Sequence, residues 1–181
     1  MCPTRTPTRM ASSMGALDTM YRRASVRNFT DEKVTSFEAE ALLHAAMSAP
    51  SAGNQQPWEF YLVWDDEARA ALSKASPYAL AAAKAPLVVV PCFRQNVRFP
   101  ECAPLDMAAA TQNMLLEATD LGLGAVWMAI NPVRDREEKV RATLDLPDDL
   151  TPFCLIAVGR PADDVTPHGA ERYDEKRIHT V

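Results

Sequence analysis

From residue 87 to 93 the chain reads Leu-Val-Val-Val-Pro-Cys-Phe, seven residues with no charge and no polar alternation. A strand with one wet face alternates apolar and polar side chains, so an unbroken apolar run reads as a strand covered on both faces. That demands a sheet with other elements packed against each side of it. The run is also far short of the roughly 20 apolar residues a bilayer-spanning helix needs, and no uncharged apolar run in the chain approaches that length, so no membrane partner is expected.

The remaining segments supply helices and strands in mixed order. Residues 17–23 read as a short helix. Thr35-Ser36-Phe37-Glu38 is a capping box, in which a hydroxyl and a carboxylate satisfy each other's backbone N–H groups; it opens a helix to about residue 49, stopped by Pro50. The expected core face of that helix is Phe37, Ala41, Leu42 and Ala45. Strands are predicted over 59–64, 125–130 and 152–158, and helices from Asp65 or Asp66 to 75, over 106–120 and over 134–144. Leu121-Gly122-Leu123-Gly124 ends the longest helix. The sum is an α+β fold, a central mixed or antiparallel sheet of about four to five strands flanked by helices.

No repeat or low-complexity linker divides the 181 residues, so residues 16–181 are read as one domain, preceded by a flexible arm over 1–15 with alternative starts at Met10 or Met14. The first residues carry Arg5 and Arg9 without an acid, faintly like a transit peptide, but Pro3 and Pro7 break the amphipathic helix such a peptide needs. Nineteen basic against 24 acidic residues give a net charge of −5, with no basic excess for nucleic acid. The four cysteines, Cys2, Cys92, Cys102 and Cys154, show no metal-ligand spacing. Cys92 and Cys154 lie in apolar segments and read as buried thiols of a cytoplasmic protein. His44 reads as a packed or partly solvated helix residue. Neither a G-x-G-x-x-G turn nor a Walker P-loop is present, so any nucleotide is held by other means.

Four segments carry candidate chemistry. In extended backbone Arg23, Ser25 and Arg27 of Arg22-Arg23-Ala24-Ser25-Val26-Arg27 point to one side, and two guanidiniums with a hydroxyl suit a phosphate or carboxylate; a solvated edge strand explains the same residues. The loop Pro50-Ser51-Ala52-Gly53-Asn54-Gln55-Gln56-Pro57-Trp58 offers three amide side chains to a planar heterocycle, or is a well-satisfied turn. The strand after Gly124, through Trp127, Met128, Ala129 and Ile130, brings backbone amides to a strand end, with core packing as the alternative reading. Arg172, in Glu171-Arg172-Tyr173-Asp174-Glu175, belongs to a charged tail that is either functional or solvated.

Taken together and in this order, the Arg-Arg-x-Ser-x-Arg stretch, the Pro-Ser-Ala-x-Asn-x-Gln-Pro-Trp loop, the Gln112-Asn113 helix, the Leu-Gly-Leu-Gly-x-x-Trp strand and the final Arg-Tyr-Asp-Glu resemble the flavin-dependent nitroreductase family in its short form. The resemblance implies an intertwined homodimer with FMN at the subunit interface and the C-terminal tail wrapping onto the partner. By position, Arg23 and Ser25 would hold the phosphate, with Arg172 closing on it, and Arg27 would reach the ribityl chain or pyrimidine side. Pro50, Ser51, Ala52 and Asn54 would come from the other subunit to the ring. Backbone of Met128, Ala129 and Ile130 would lie near N5, where Ala129 replaces a frequent glycine. The implied function is hydride transfer from NADH or NADPH through the flavin to a small-molecule acceptor, a nitroaromatic or quinone, with no side-chain nucleophile, catalytic base or metal. Alternatives are a specialised flavin reductase, either a dehalogenase or an ene-type enzyme, or a flavin-binding sensor or reservoir without turnover.

Overall fold

The computed structural model describes residues 15–181, so Cys2 and nearly all of the expected N-terminal arm lie outside it. The elements are α1 (Ala16–Arg22), α2 (Ser36–Met47), β1 (Trp58–Val63), α3 (Asp66–Leu72), β2 (Leu87–Arg94), α4 (Ala103–Asp120), β3 (Gly124–Ala129), α5 (Arg134–Leu144), β4 (Leu150–Pro152) and β5 (Cys154–Gly159). The strands form one sheet in the order β1-β2-β5-β3, with β4 also on β2, and every pairing among them is antiparallel.

The apolar run at 87–93 is the heart of this sheet. Leu87, Val89 and Phe93 pack on one face with Leu42 and Ala46 of α2 and Met107 and Met114 of α4. Val88, Val90 and Cys92 face the other way, against Leu72 of α3 and Val140 of α5. Helices therefore cover both faces, as the missing polar alternation requires. Among the described residues no helix is long and apolar enough to cross a membrane.

Three expectations change in detail. The strand foreseen over 152–158 is two strands. β2 pairs Val89 with Ile156 and Cys92 with Pro152, so Val90 and Pro91 face Phe153, Cys154 and Leu155, a β-bulge. Proline has no N–H for the ladder and sits in sheets at such irregularities; the Pro91 carbonyl still accepts from Phe153 N–H at 2.8 Å. The longest helix starts earlier, at Ala103, because Pro104 is tolerated in a first turn. In α2 the capping box forms, Glu38 N–H donating to Thr35 Oγ1 at 3.2 Å and Thr35 N–H to Glu38 Oε2 at 2.8 Å. Its core face, however, is Ala39, Leu42 and Ala46, and Phe37 is 55% exposed. Apolar residues occur nearly all round α2, so spacing alone does not choose its face; packing against α4 does.

β3 lies at an edge of the sheet. Among the described residues the one backbone bridge on its outer side is Ser25, parallel to Ala125, with Val26 N–H donating to Ala125 O at 3.1 Å. Past that bridge no described strand pairs with the edge, and the candidates of the 23–27 stretch, β3 and the tail gather there.

Candidate functional site

The segment after α1 is extended along β3 because Val26 is buried against Gly124, where a Cβ would meet Val26 at 2.7 Å. With Val26 turned inward, alternation turns Arg23, Ser25 and Arg27 outward, as the sequence predicts. They do not share one surface. Arg23 and Ser25 line a cavity of about 470 Å³ with Tyr21, Gln112, Trp127 and Arg172. Arg27 lines a second, of about 620 Å³, with Tyr78, Lys84, Trp127, Met128, Ala129 and Arg136. Trp127 lines both, so the two cavities meet along β3 at that residue; its indole packs on the α4 side of the sheet and leans on Phe153 at 5.4 Å between ring centroids.

Arg172 reaches the first cavity because the C-terminal segment is seated on α1. A Cβ at Gly169 would meet the Tyr21 backbone at 2.8 Å, and the turn Ala170–Arg172 follows directly. The charged tail is thus not merely solvated at this point. No Asp or Glu lines either cavity. Among the described residues neither Arg23 nor Arg172 has an acidic partner, whereas Arg160 is bound by Glu32 at 3.0 Å and Glu38 at 2.6 Å. Guanidiniums left unpaired beside a hydroxyl form a donor set for a phosphate or carboxylate, whose oxygens match their geometry.

The second cavity runs along the open edge of β3. In an antiparallel strand consecutive residues turn their backbone groups to opposite neighbours. The Ala125 carbonyl is on the outer side, so the backbone of Trp127 and Ala129 is too, and Ala129 O accepts from Arg136 Nη1 at 3.1 Å. Met128 is paired into the ladder with Leu155, and Ile130 N–H donates to Phe153 O at 3.4 Å. Of the three backbone positions singled out from sequence, Ala129 is the one that presents its amide to the open edge.

The loop at 50–57 is built differently and lines neither cavity. Asp106, 6% exposed at the start of α4, accepts from Ala52 N–H at 2.9 Å and from Gln55 Nε2 at 2.7 Å. The Gln55 carbonyl oxygen accepts from Phe99 N–H at 2.8 Å. Ser51 Oγ accepts from Gln56 N–H at 3.0 Å, and Gln56 Nε2 donates to Asn54 Oδ1 at 3.0 Å. Gly53, with φ +54°, lies against Phe99, which a Cβ there would meet at 2.7 Å. The loop therefore consumes most of its own polar groups. The Ser51 hydroxyl hydrogen, the Asn54 amide hydrogens and the second Gln56 Nε2 hydrogen are among the donors left to face outward.

Among the described residues no cysteine or histidine lines either cavity. Burial pushes the Cys92 thiol up to about 12 and Cys154 well above the ordinary thiol range, so both stay protonated and inert. His44 is exposed on α2, 3.7 Å from Glu40. From sequence Gln112 enters only as part of a family pattern, Lys84, Arg136 and the clamping role of Asp106 are not singled out, and Trp127 reads as core or strand. For Asp106 a signal existed: with Ala103, Met107 and Ala110 it marks an acid on the buried stripe of a helix, which requires internal donors.

The Nitroreductase family model matches residues 20–96 and 77–160. A Methanothermobacter thermautotrophicus protein provisionally named NADH dehydrogenase/NAD(P)H nitroreductase is 34% identical over 169 residues, covering 93% of this chain and 87% of that one. The crystal structure of a Clostridium acetobutylicum protein provisionally named NADH oxidase superposes with a TM-score of 0.86 at 42% identity, over 90% of this chain and 98% of that one. A Desulfovibrio desulfuricans structure, provisionally titled a nitroreductase in complex with FMN, gives a TM-score of 0.73 at 28% identity, over 84% and 89%.

Proposed function

The chain belongs to the nitroreductase family, and from that premise we propose that it is an FMN-dependent oxidoreductase, passing a hydride taken from NADH or NADPH to a nitroaromatic, quinone or similar small acceptor. The observation that carries this reading is the pair of guanidiniums, Arg23 and Arg172, that lack an acidic partner among the described residues and stand beside Ser25 in one cavity. The adjoining cavity runs along the open edge of β3, lined by Trp127, Met128 and Ala129. A molecule with a phosphate at one end and a flat heterocycle at the other fits that pair of environments.

In this reading Arg23, Ser25 and Arg172 hold the phosphate, and Arg27 with the Ala129 amide receives the ring. When bound, FMN supplies the redox chemistry, accepting and donating a hydride. The chain contributes position and charge. Arg27 places a cation where electron density rises on reduction, which favours the reduced form. Trp127 fixes the lateral position of the ligand. No side chain here needs to act as a nucleophile, in keeping with thiols held protonated by burial.

Pro50, Ser51, Ala52 and Asn54 line neither cavity of their own chain, so we assign them to the site of a second copy in a homodimer. The exposed apolar residues Leu17, Met20, Phe37, Met47 and Leu105 support such an association. Asp106 then preorganises the loop before it meets the partner. The buried, reduced thiols suit a reducing cytoplasm.

The test is the absorption spectrum of the purified protein, followed by anaerobic addition of NADH or NADPH. A flavin band that bleaches with the nicotinamide and returns with a nitroaromatic or quinone is the expected result. A flavin band that neither nucleotide bleaches would make the protein a flavin binder without turnover. A colourless protein that fails to take up FMN would overturn the proposal.

A further inference from the structure

The second cavity holds more positive charge than a flavin ring requires. With Arg27 given to the cofactor, Lys84 and Arg136 remain, and the lining contains no acid to balance them. Lys84 Nζ donates to Asn28 Oδ1 at 3.1 Å, one of the three hydrogens an ammonium offers. Arg136 gives one N–H to Ala129 O and sits 5.7 Å from the centre of the Tyr78 ring, leaving most of its five donors. Among the described residues neither cation is ion-paired.

The position of Arg136 sharpens the point. It lies in the first turn of α5, the positive end of the helix dipole, where a cation is disfavoured. The acids and cations around it are already matched to one another. Arg134 pairs with Glu138 at 2.8 Å and Lys139 with Asp135 at 2.7 Å, while Glu137 accepts from Asn131 at 2.7 Å. Arg136 is the arginine of this turn without an acid, and its guanidinium touches the Ala129 carbonyl at the open edge. At the mouth of the same cavity Tyr78 and Leu80 are 74% and 67% exposed, an apolar rim suited to a flat hydrocarbon body.

We propose that Lys84 and Arg136 form a subsite for the anionic group of the electron acceptor, so that aromatic acceptors carrying a carboxylate, sulfonate or phosphate are used in preference to their neutral counterparts. This rests on the flavoenzyme reading above and adds a substrate class to it. The preference is local, since the net charge of −5 works against an anion at long range. The two cations are specificity determinants; they fix where the acceptor's anion sits, beside Ala129, and take no part in electron transfer.

The experiment uses the flavin-loaded protein and two matched pairs of compounds. kcat/KM is measured for para-nitrobenzoate and its methyl ester, and the affinities of benzoate and benzamide by calorimetry, in the wild type and in Arg136→Gln and Lys84→Gln. The carboxylate-to-ester ratio is expected to favour the carboxylate in the wild type and to fall by about tenfold in each variant, the scale of a lost charge-assisted hydrogen bond. Benzoate affinity falls with it and benzamide affinity does not, and Arg136→Lys recovers part of the ratio. Added salt weakens the wild-type preference. A ratio that is the same in wild type and variants overturns the subsite, as does a rise in KM for NADH or NADPH with the ratio intact, which would give the cations to the donor. Loss of the flavin reading looks different: no nicotinamide-dependent reduction of either the acid or the ester.

Discussion

Two polar segments, the loop at 51–56 and the stretch at 23–27, look equally suited to a ligand in sequence, yet they dispose of their donors in opposite ways. The loop turns inward. Gln55 is fully engaged by Asp106 and Phe99, Ser51 and Asn54 accept from Gln56, and Asp106 holds the Ala52 N–H. The stretch at 23–27 spends little on itself: Arg27 donates to Ser25 O at 3.3 Å, and the Arg23 guanidinium has no acidic partner among the described residues. A polar residue whose groups are satisfied by its own fold is scaffold, and one whose groups are not is where a ligand belongs. Residue type does not separate the two cases. Partnership does.

The sharpest way to break this contrast is to remove both phosphate candidates. Arg23→Ala combined with Arg172→Ala is expected to weaken FMN binding by about a hundredfold or more, from two lost charge-assisted contacts. Thermal stability should barely move, because no carboxylate is left unpaired. A melting temperature that falls in step with affinity would mean the arginines are structural. Asp106→Ala is the reverse case. Stranding the Ala52 N–H and the Gln55 amide is expected to lower unfolding free energy by about 2 kcal/mol, read by urea denaturation of the apoprotein. An unchanged midpoint would show that the clamp does not hold the loop.

A smaller effect on the same side is Gly53→Ala. A positive φ and the Phe99 ring both oppose a Cβ there, and about 1–2 kcal/mol of stability should be lost. Glu38→Gln gives the value of an arginine that does have a partner. Burial would raise the Glu38 carboxyl, but the Thr35 N–H and hydroxyl and the Arg160 guanidinium outweigh it and hold it below the ordinary carboxylate range. A lowered folded pKa stabilises above the unfolded value and is lost as pH falls through the folded one. Glu38→Gln should therefore cost about 1 kcal/mol at neutral pH and flatten the decline of stability in acid. An acid limb identical to that of the wild type would contradict the role of Glu38.

The fold was legible where local chemistry decides it. The unbroken run at 87–93 announced a doubly covered strand, and Thr35 with Glu38 announced the start of α2. It was less legible where a partner decides: the face of α2 is chosen by α4, and the bulge opposite Pro91 depends on a strand some sixty residues downstream. The same holds for the site. Alternation turns Arg23, Ser25 and Arg27 outward, but they do not converge on one surface, and their division between two cavities follows from Trp127 and from the tail seated on Tyr21. Asp106 hid in an apolar helix stripe, and Lys84 and Arg136 look like ordinary surface cations until the acids around them are seen to be matched elsewhere.

The central claim is that unpaired arginines at the edge of β3 await a phosphate, and it is tested most directly by titrating the apoprotein with FMN and with riboflavin under the same conditions. The two ligands share the ring and ribityl chain and differ in the phosphate. FMN is expected to bind about a hundredfold more tightly or better, from charge-assisted bonds to Arg23 and Arg172, and the excess should shrink as salt rises. Equal affinities for the two ligands would contradict the account.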